Sequence, residues 1–242
     1  MALYYLQEHY RFLKLKKRRI LLNKPNLSIV IPTYNERENI SKILENLKRE
    51  LKYIPFEIIF VDDNSPDGTS QEVKTFIRNS KNIHLIHRIG RRGLSGAVIE
   101  GIFAANSKLV AVMDCDLQHD ETKLSDMIDL FSRNASLDLV IGSRFTASGE
   151  ISNKAFSKLR ELGSKTTTFL VKKLLKINSS DPLSGFFMVK KETFMRSADN
   201  LQTQGFKILA DFLATSGKNI EIKEIGYKFK SRVAGKSKMS FS

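Results

Sequence analysis

The chain has 242 residues, 41% of them hydrophobic and 27% charged, a balance that excludes wholesale disorder and leaves room for a sizeable core. Forty Lys and Arg against 26 Asp and Glu give a net charge of +14, which points to an anionic partner: phosphorylated substrates, anionic lipid or nucleic acid. The single cysteine excludes an internal disulfide framework, no apolar run reaches the roughly 18 residues that span a bilayer, and no signal peptide is visible.

Residues 1–26 carry seven Lys/Arg against one acid, Glu8, interleaved with Leu3, Tyr4, Tyr5, Tyr10 and Phe12. This composition suits an interfacial membrane helix or a disordered basic arm. From Leu27 onward strand and helix signals alternate. Leu27–Ile31 reads as a short apolar strand closed by Pro32. A helix follows, with Ile40, Ile43, Leu44, Leu47 and Leu51 on one face.

Phe56–Val61 is a second strand, ending at Asp62-Asp63, and Gly68-Thr69 opens a helix through Arg78. Ile83–His87 is a third strand and Gly93–Asn106 a helix. Leu109–Met113 is the fourth strand, Leu124–Phe131 a helix, and Leu137–Ile141 a fifth strand. This rhythm predicts a mostly parallel sheet covered on both faces. The second half is less regular. Lys154–Lys176 reads as a basic amphipathic helix, Leu183–Val189 as a strand, Phe206–Thr215 as a helix and Ile220–Phe229 as one alternating strand. One continuous domain over 27–242 is the simplest organisation.

The chemistry gathers where strands end. The fourth strand runs into Asp114-Cys115-Asp116, and in an open α/β sheet the carboxyl edge is where ligands bind. Strand alternation would turn both aspartates to one side and Cys115 to the other, toward packing. Two carboxylates so placed can hold Mg²⁺ or Mn²⁺, with the remaining ligands drawn from a phosphorylated substrate. Acidic residues in the first turn of a helix are the plainer reading of the same stretch. Asp62 and Asp63 follow an apolar strand and can accept hydrogen bonds from a ribose or base, whereas Pro66, Asp67 and Gly68 need only a turn role. Gly90-x-x-Gly93-x-x-Gly96 is not the dinucleotide fingerprint, and no P-loop occurs.

Eight motifs then occur in order. They are Pro32-Thr33-Tyr34-Asn35-Glu36, Asp62–Thr69, Arg92-Gly93-Leu94-Ser95-Gly96-Ala97, Met113–His119 and Gly142-Ser143-Arg144-Phe145, followed by Asp181–Phe187, Gly205–Leu209 and Arg232–Met239. Over about residues 27–239 the chain resembles the dolichol/polyprenol-phosphate mannosyltransferases of glycosyltransferase family 2.

The resemblance implies a single GT-A domain, Rossmann-like and built for nucleotide-diphospho-sugars, on a mostly parallel central sheet. It implies inverting transfer of mannose from GDP-mannose to a dolichyl or polyprenyl phosphate, with Mg²⁺ or Mn²⁺ as cofactor. Asp114, Asp116 and Gln118 match the family's metal and diphosphate positions. Pro32, Tyr34, Glu36, Asp62 and Asp63 match its nucleotide pocket. Arg144, Arg160 and Arg232, with Lys238, match groups that hold the donor and acceptor phosphates; Arg160 sits in the loosest motif and reads equally as a solvated face of a basic helix.

The acceptor phosphate is already anionic, so no dedicated base is needed. Of the candidate bases His84, His87 and His119, the first two alternate along a strand and read as structural. Relatives carry alanine at Cys115 and glycine at Ser95, both small exchanges. Relatives also usually continue past the last motif into an amphipathic or membrane segment. A fragment, a membrane-anchoring partner subunit or the basic N-terminus would each answer that, and the expected location is the cytoplasmic face of a membrane. Two rivals remain: a polyprenyl-phosphate transferase using glucose or GlcNAc from a UDP donor, and a basic nucleic-acid-binding module. The second leaves the three acidic strand ends unexplained.

Overall fold

A computed structural model describes residues 25–146, 150–151, 179–205, 207–217 and 219–230. The basic segment 1–24, the helix expected over 154–176, and Arg160, Arg232 and Lys238 lie outside the described residues.

The elements run β1 (Leu27–Thr33), α1 (Arg37–Glu50), β2 (Phe56–Asp62), α2 (Thr69–Ile77), β3 (Ile83–His87), α3 (Leu94–Ala104), β4 (Leu109–Val112), α4 (Lys123–Arg133) and β5 (Leu137–Ser143). They continue with β6 (Glu150–Ile151), β7 (Phe187–Lys190), α5 (Lys191–Ser197), α6 (Ile208–Thr215), β8 (Glu221–Gly226) and β9 (Lys228–Phe229). The described strands form a seven-stranded sheet ordered β3-β2-β1-β4-β7-β5-β8, beside a small β6-β9 pair. All neighbours in the large sheet are parallel except β7, which runs antiparallel between β4 and β5. This is the mostly parallel, doubly covered sheet that the alternating pattern predicts.

Every residue of β1 is buried, as expected for a central strand with helices on both faces. Ile29 and Ile31 pack with Ile40, Ile43, Leu44 and Leu47 of α1, whose i, i+3, i+4, i+7 spacing makes one apolar stripe. Helices α2 and α4 join that face through Val73, Leu124 and Met127. Val30 faces the other way, toward Val98 and Ile102 of α3 and toward Phe194 of α5 and Phe212 of α6.

Four local details differ from the sequence pattern. Strand β1 continues through Pro32 to Thr33, because the β4 ladder has already stopped at Val30↔Val112. The Val30 carbonyl accepts the Met113 N–H, so the proline nitrogen, on that same side, needs no partner there. Strand β7 starts at Phe187, since Asp181–Ser184 is a turn closed by the Ser184 N–H donating to the Asp181 carbonyl at 3.1 Å, and Ser184 Oγ then ties the loop to the Gly142 carbonyl of β5 at 2.6 Å. The segment ending at Phe229 breaks at Tyr227 into β8 and β9. Helix α5 directly abuts β7 and is too short to display a helical repeat.

Candidate active site

Strands β1, β2 and β4 end on the same edge of the sheet, and the turn after each contains one non-glycine residue with positive φ. These are Asn35 (55°), Asn64 (56°) and Leu117 (63°). Asparagine tolerates that conformation; leucine does so at a cost of roughly 1–2 kcal/mol. Leu117 holds it because its side chain is buried in the core with Met113 and Cys115. Strain of this kind concentrates where a chain must present particular groups.

The β1 and β2 turns are laced together. Asn35 N donates to Ser65 Oγ (2.9 Å), Glu36 N to Thr69 Oγ1 (3.0 Å), Arg37 N to Asp67 Oδ2 (3.1 Å) and Asp63 N to the Thr33 carbonyl (3.0 Å). Asp62 is completely buried and accepts from Ser65 N, Ser65 Oγ, Ser70 Oγ and Thr33 Oγ1. Asp63 takes the Arg88 guanidinium and the Gly93 N–H (2.8 Å). Both carboxylates are therefore engaged with their own loops, which they shape. Asp67 closes the next turn by accepting Thr69 N and Thr69 Oγ1, the structural role expected of it. These hydrogen bonds outweigh burial and hold its carboxyl below the usual range.

Pro32 is buried on the same edge, and the Glu36 side chain beside it accepts from Asn39 Nδ2 at 2.7 Å. Tyr34 is half-buried and carries the Arg92 guanidinium over its ring, 5.0 Å from the centroid.

The turn after β4 holds the paired aspartates. They lie past the last strand residue, so turn geometry rather than strand alternation aims them. The Asp114 side chain is 41% exposed, while Asp116 is buried, its Oδ1 accepting Gln118 N at 3.1 Å. Cys115 is buried in the core, as packing requires.

His119 anchors the loop from beneath. Its Nδ1 accepts the Asp114 N–H at 3.1 Å, and its ring stacks on Phe186 with centroids 5.2 Å apart. Burial pushes the imidazole down to about 4, so it is neutral near pH 7 and fitted to accept rather than to carry charge. Gln118 is pinned from the other side: Nε2 donates to the Lys230 carbonyl (3.0 Å), and Lys230 N donates to the Gln118 carbonyl (2.9 Å).

Arg144, just past β5, meets this turn. Asp181 accepts from Arg144 Nε and Nη2, both at 2.8 Å, and from Arg144 N at 3.1 Å. Burial works against the guanidinium's charge, but the Asp181 contacts prevail and raise its pKa further above the ordinary value. The cation lies over Phe145 (5.2 Å) and Phe229 (5.5 Å) and within electrostatic reach of Asp114. Tyr227 packs edge-on against Phe186 and His119. Its hydroxyl has no hydrogen-bond partner among the described residues, and burial pushes its pKa up.

The donor set suits a hard divalent cation. Among the described residues no group of three or more His, Cys, Asp or Glu could hold a metal. Two carboxylates remain in the turn after β4, and with substrate phosphates completing its shell a hard cation can be held by one or two carboxylates. The backbone makes room for them: a Cβ at Gly185 would stand 2.9 Å from Asp114 Oδ2. Asp114, Asp116, Gln118 and Arg144 are thus brought together, while Pro32, Tyr34 and Glu36 stand at the end of β1 and Asp62 and Asp63 at the end of β2 on the same edge. Sequence reasoning missed Asp181 as the partner of Arg144 and His119 as the anchor of the Asp114 backbone. The Asp181–Phe187 motif is visible in sequence, but not what its acid grips.

No helix among the described residues is long and apolar enough to cross a membrane. In fold the chain is similar to the mannosyltransferase PcManGT from Pyrobaculum calidifontis, solved in complex with GDP-Man and Mn²⁺. The TM-score is 0.58 at 19% identity, over 84% of this chain and 55% of that one. In sequence it is 36% identical to the dolichol-phosphate mannosyltransferase of Pyrococcus furiosus over 88% of this chain, and spans 59% of that relative's length. It is 31% identical to the dolichol-phosphate mannosyltransferase of Saccharomyces cerevisiae, over 88% of this chain and 80% of the yeast protein. Residues 28–197 match the profile of Glycosyl transferase family 2, and with these turns on the carboxyl edge of such a sheet, the chain belongs to that family.

Proposed function

We propose that the protein transfers mannose from GDP-mannose to a dolichyl or polyprenyl phosphate, with inversion at the anomeric carbon and with Mg²⁺ or Mn²⁺ as cofactor. The observation that carries the reading is the juxtaposition of the Asp114–Asp116 turn with the Asp181-gripped Arg144 on one sheet edge. The likeness to dolichol-phosphate mannosyltransferases, and a fold neighbour solved with GDP-Man and Mn²⁺, support the choice of donor and acceptor.

Asp114 and Asp116 would hold the cation, joined by Gln118 through Oε1, since its Nε2 donates to Lys230. When bound, the cation supplies Lewis-acid charge to the departing diphosphate. Arg144 presents its remaining N–H groups to phosphate oxygens. Because Asp181 fixes the guanidinium plane in advance, little reorganisation is needed as charge builds. An acceptor phosphate attacks in its ionised form, so no group here has to remove a proton. The neutral, enclosed His119 accordingly serves as a support and not as a base. Displacement from the face opposite the leaving group gives a β-linked product from an α-linked donor. Arg160, Arg232 and Lys238 belong to the same phosphate-binding proposal by their motifs alone. The lipid-linked acceptor extends the proposal to the cytoplasmic face of a membrane, with either a membrane-anchoring subunit or the basic N-terminus as the attachment.

Incubating the chain with Mn²⁺, a short polyprenyl phosphate and radiolabelled GDP-mannose, UDP-glucose or UDP-GlcNAc tests donor and reaction together. Lipid-extractable label from GDP-mannose alone is the expected result; label from a UDP sugar instead overturns the donor.

A further inference from the structure

The segment 88–92 between β3 and α3 carries three arginines, and two of them are spoken for. Arg88 is buried against Asp63 and Glu100, and Arg91 meets Glu100 through Nε and Nη2, both at 2.8 Å. Arg92 differs. It is exposed, and among the described residues no carboxylate stands within 4.0 Å of it. Its guanidinium instead lies 5.0 Å from the Tyr34 ring centroid, with Nη1 3.4 Å from Tyr34 Oη.

The backbone at this point is fixed. Gly93, at φ 131°, donates its N–H to Asp63 Oδ2, and its carbonyl accepts from Arg88 Nη1 at 3.1 Å. A cation with no carboxylate beside it among the described residues, held at an aromatic ring and tethered by its neighbour, is pre-ordered for a ligand beside Tyr34.

We propose that Arg92 is a donor-specificity residue: its guanidinium fork, backed by Tyr34, reads the adjacent acceptors on the edge of a guanine base. The inference rests on the GDP donor proposed above and adds the group that chooses it. A planar fork matches the neighbouring O6 and N7 acceptors of guanine, a pairing that distinguishes guanine from other bases. A pyrimidine has no N7 and offers no such pair. The diphosphate has its own partners at Asp114–Asp116 and Arg144, one strand end away, so Arg92 is not needed there.

The test is the affinity of the full chain for GDP and for UDP in Mn²⁺, by titration calorimetry, for wild type, Arg92→Leu and Arg92→Lys. Both variants are surface changes, and an unchanged melting temperature verifies that they fold. Arg92→Leu should weaken GDP about tenfold or more and leave UDP within about twofold. Arg92→Lys keeps the charge but loses the fork, so it should track Arg92→Leu. Equal weakening of GDP and UDP would make Arg92 a phosphate contact and overturn the proposal, as would full recovery by lysine or no change at all. A wild-type chain that binds UDP in preference to GDP overturns the donor assignment too, whereas a GDP preference indifferent to Arg92 overturns this inference alone.

Discussion

Asp181 holds Arg144 in a two-pronged grip, Oδ2 to Nε and Oδ1 to Nη2, each at 2.8 Å. The carboxylate is wholly buried and the guanidinium nearly so. Removing the acid leaves a cation without its partner in a low-dielectric site, which costs on the order of 3–5 kcal/mol. Asp181→Ala should therefore lower the urea midpoint sharply. Asp181→Asn keeps the shape and loses the charge; it should remain folded and lose most transferase activity, with wild-type turnover in that variant counting against a positioning role.

Asp116→Ala should abolish Mn²⁺-dependent GDP binding with the fold retained, read by calorimetry beside a melting curve. Wild-type turnover that persists in excess chelator would remove the metal from the reaction altogether.

His119 supports Asp114 with a neutral nitrogen. His119→Phe keeps the stack on Phe186 but leaves the Asp114 N–H without its acceptor. Unfolding experiments should show a loss of about 1–3 kcal/mol. Donor binding should weaken with it, because the aspartate's backbone is what moves.

Asp67 carries a pH signature. Its folded-state pKa lies below the ordinary value of 3.8, so the stability it adds is present above that value and fades as pH falls through the folded pKa. Asp67→Asn should lower the neutral-pH melting temperature by the equivalent of about 1 kcal/mol at most, given the residue's exposure. The gap to wild type should close below about pH 4.

Much of this was legible beforehand because parallel strands advertise themselves. Ile29, Val30 and Ile31, or Ile58 to Val61, are apolar on both faces, and Ile40–Leu47 repeats at helical spacing. The acidic strand ends stood out for the same reason, as carboxylates that abruptly follow such runs. What escaped depends on partners distant in sequence. The Asp181–Arg144 grip spans 37 residues and the Gln118–Lys230 clasp 112, and neither leaves a local period. Nor did Asp62 announce that four donors from its own surroundings would enclose it. The break at Tyr227 was hidden because alternation runs on through it; there the chain leaves the large sheet to pair with β6.

Strand β7 has a consequence for how the molecule comes together. The strands β3-β2-β1-β4 can align once residue 112 has been made, yet among the described strands their link to β5 in the sheet is Phe187–Lys190. Until that late segment pairs in antiparallel, the early half-sheet has an open margin along β4. A growing chain therefore cannot join its early half-sheet to β5 until Lys190 has been made, and β8 is added at the far edge later still; nascent chains stopped before Lys190 should be the species that chaperones hold.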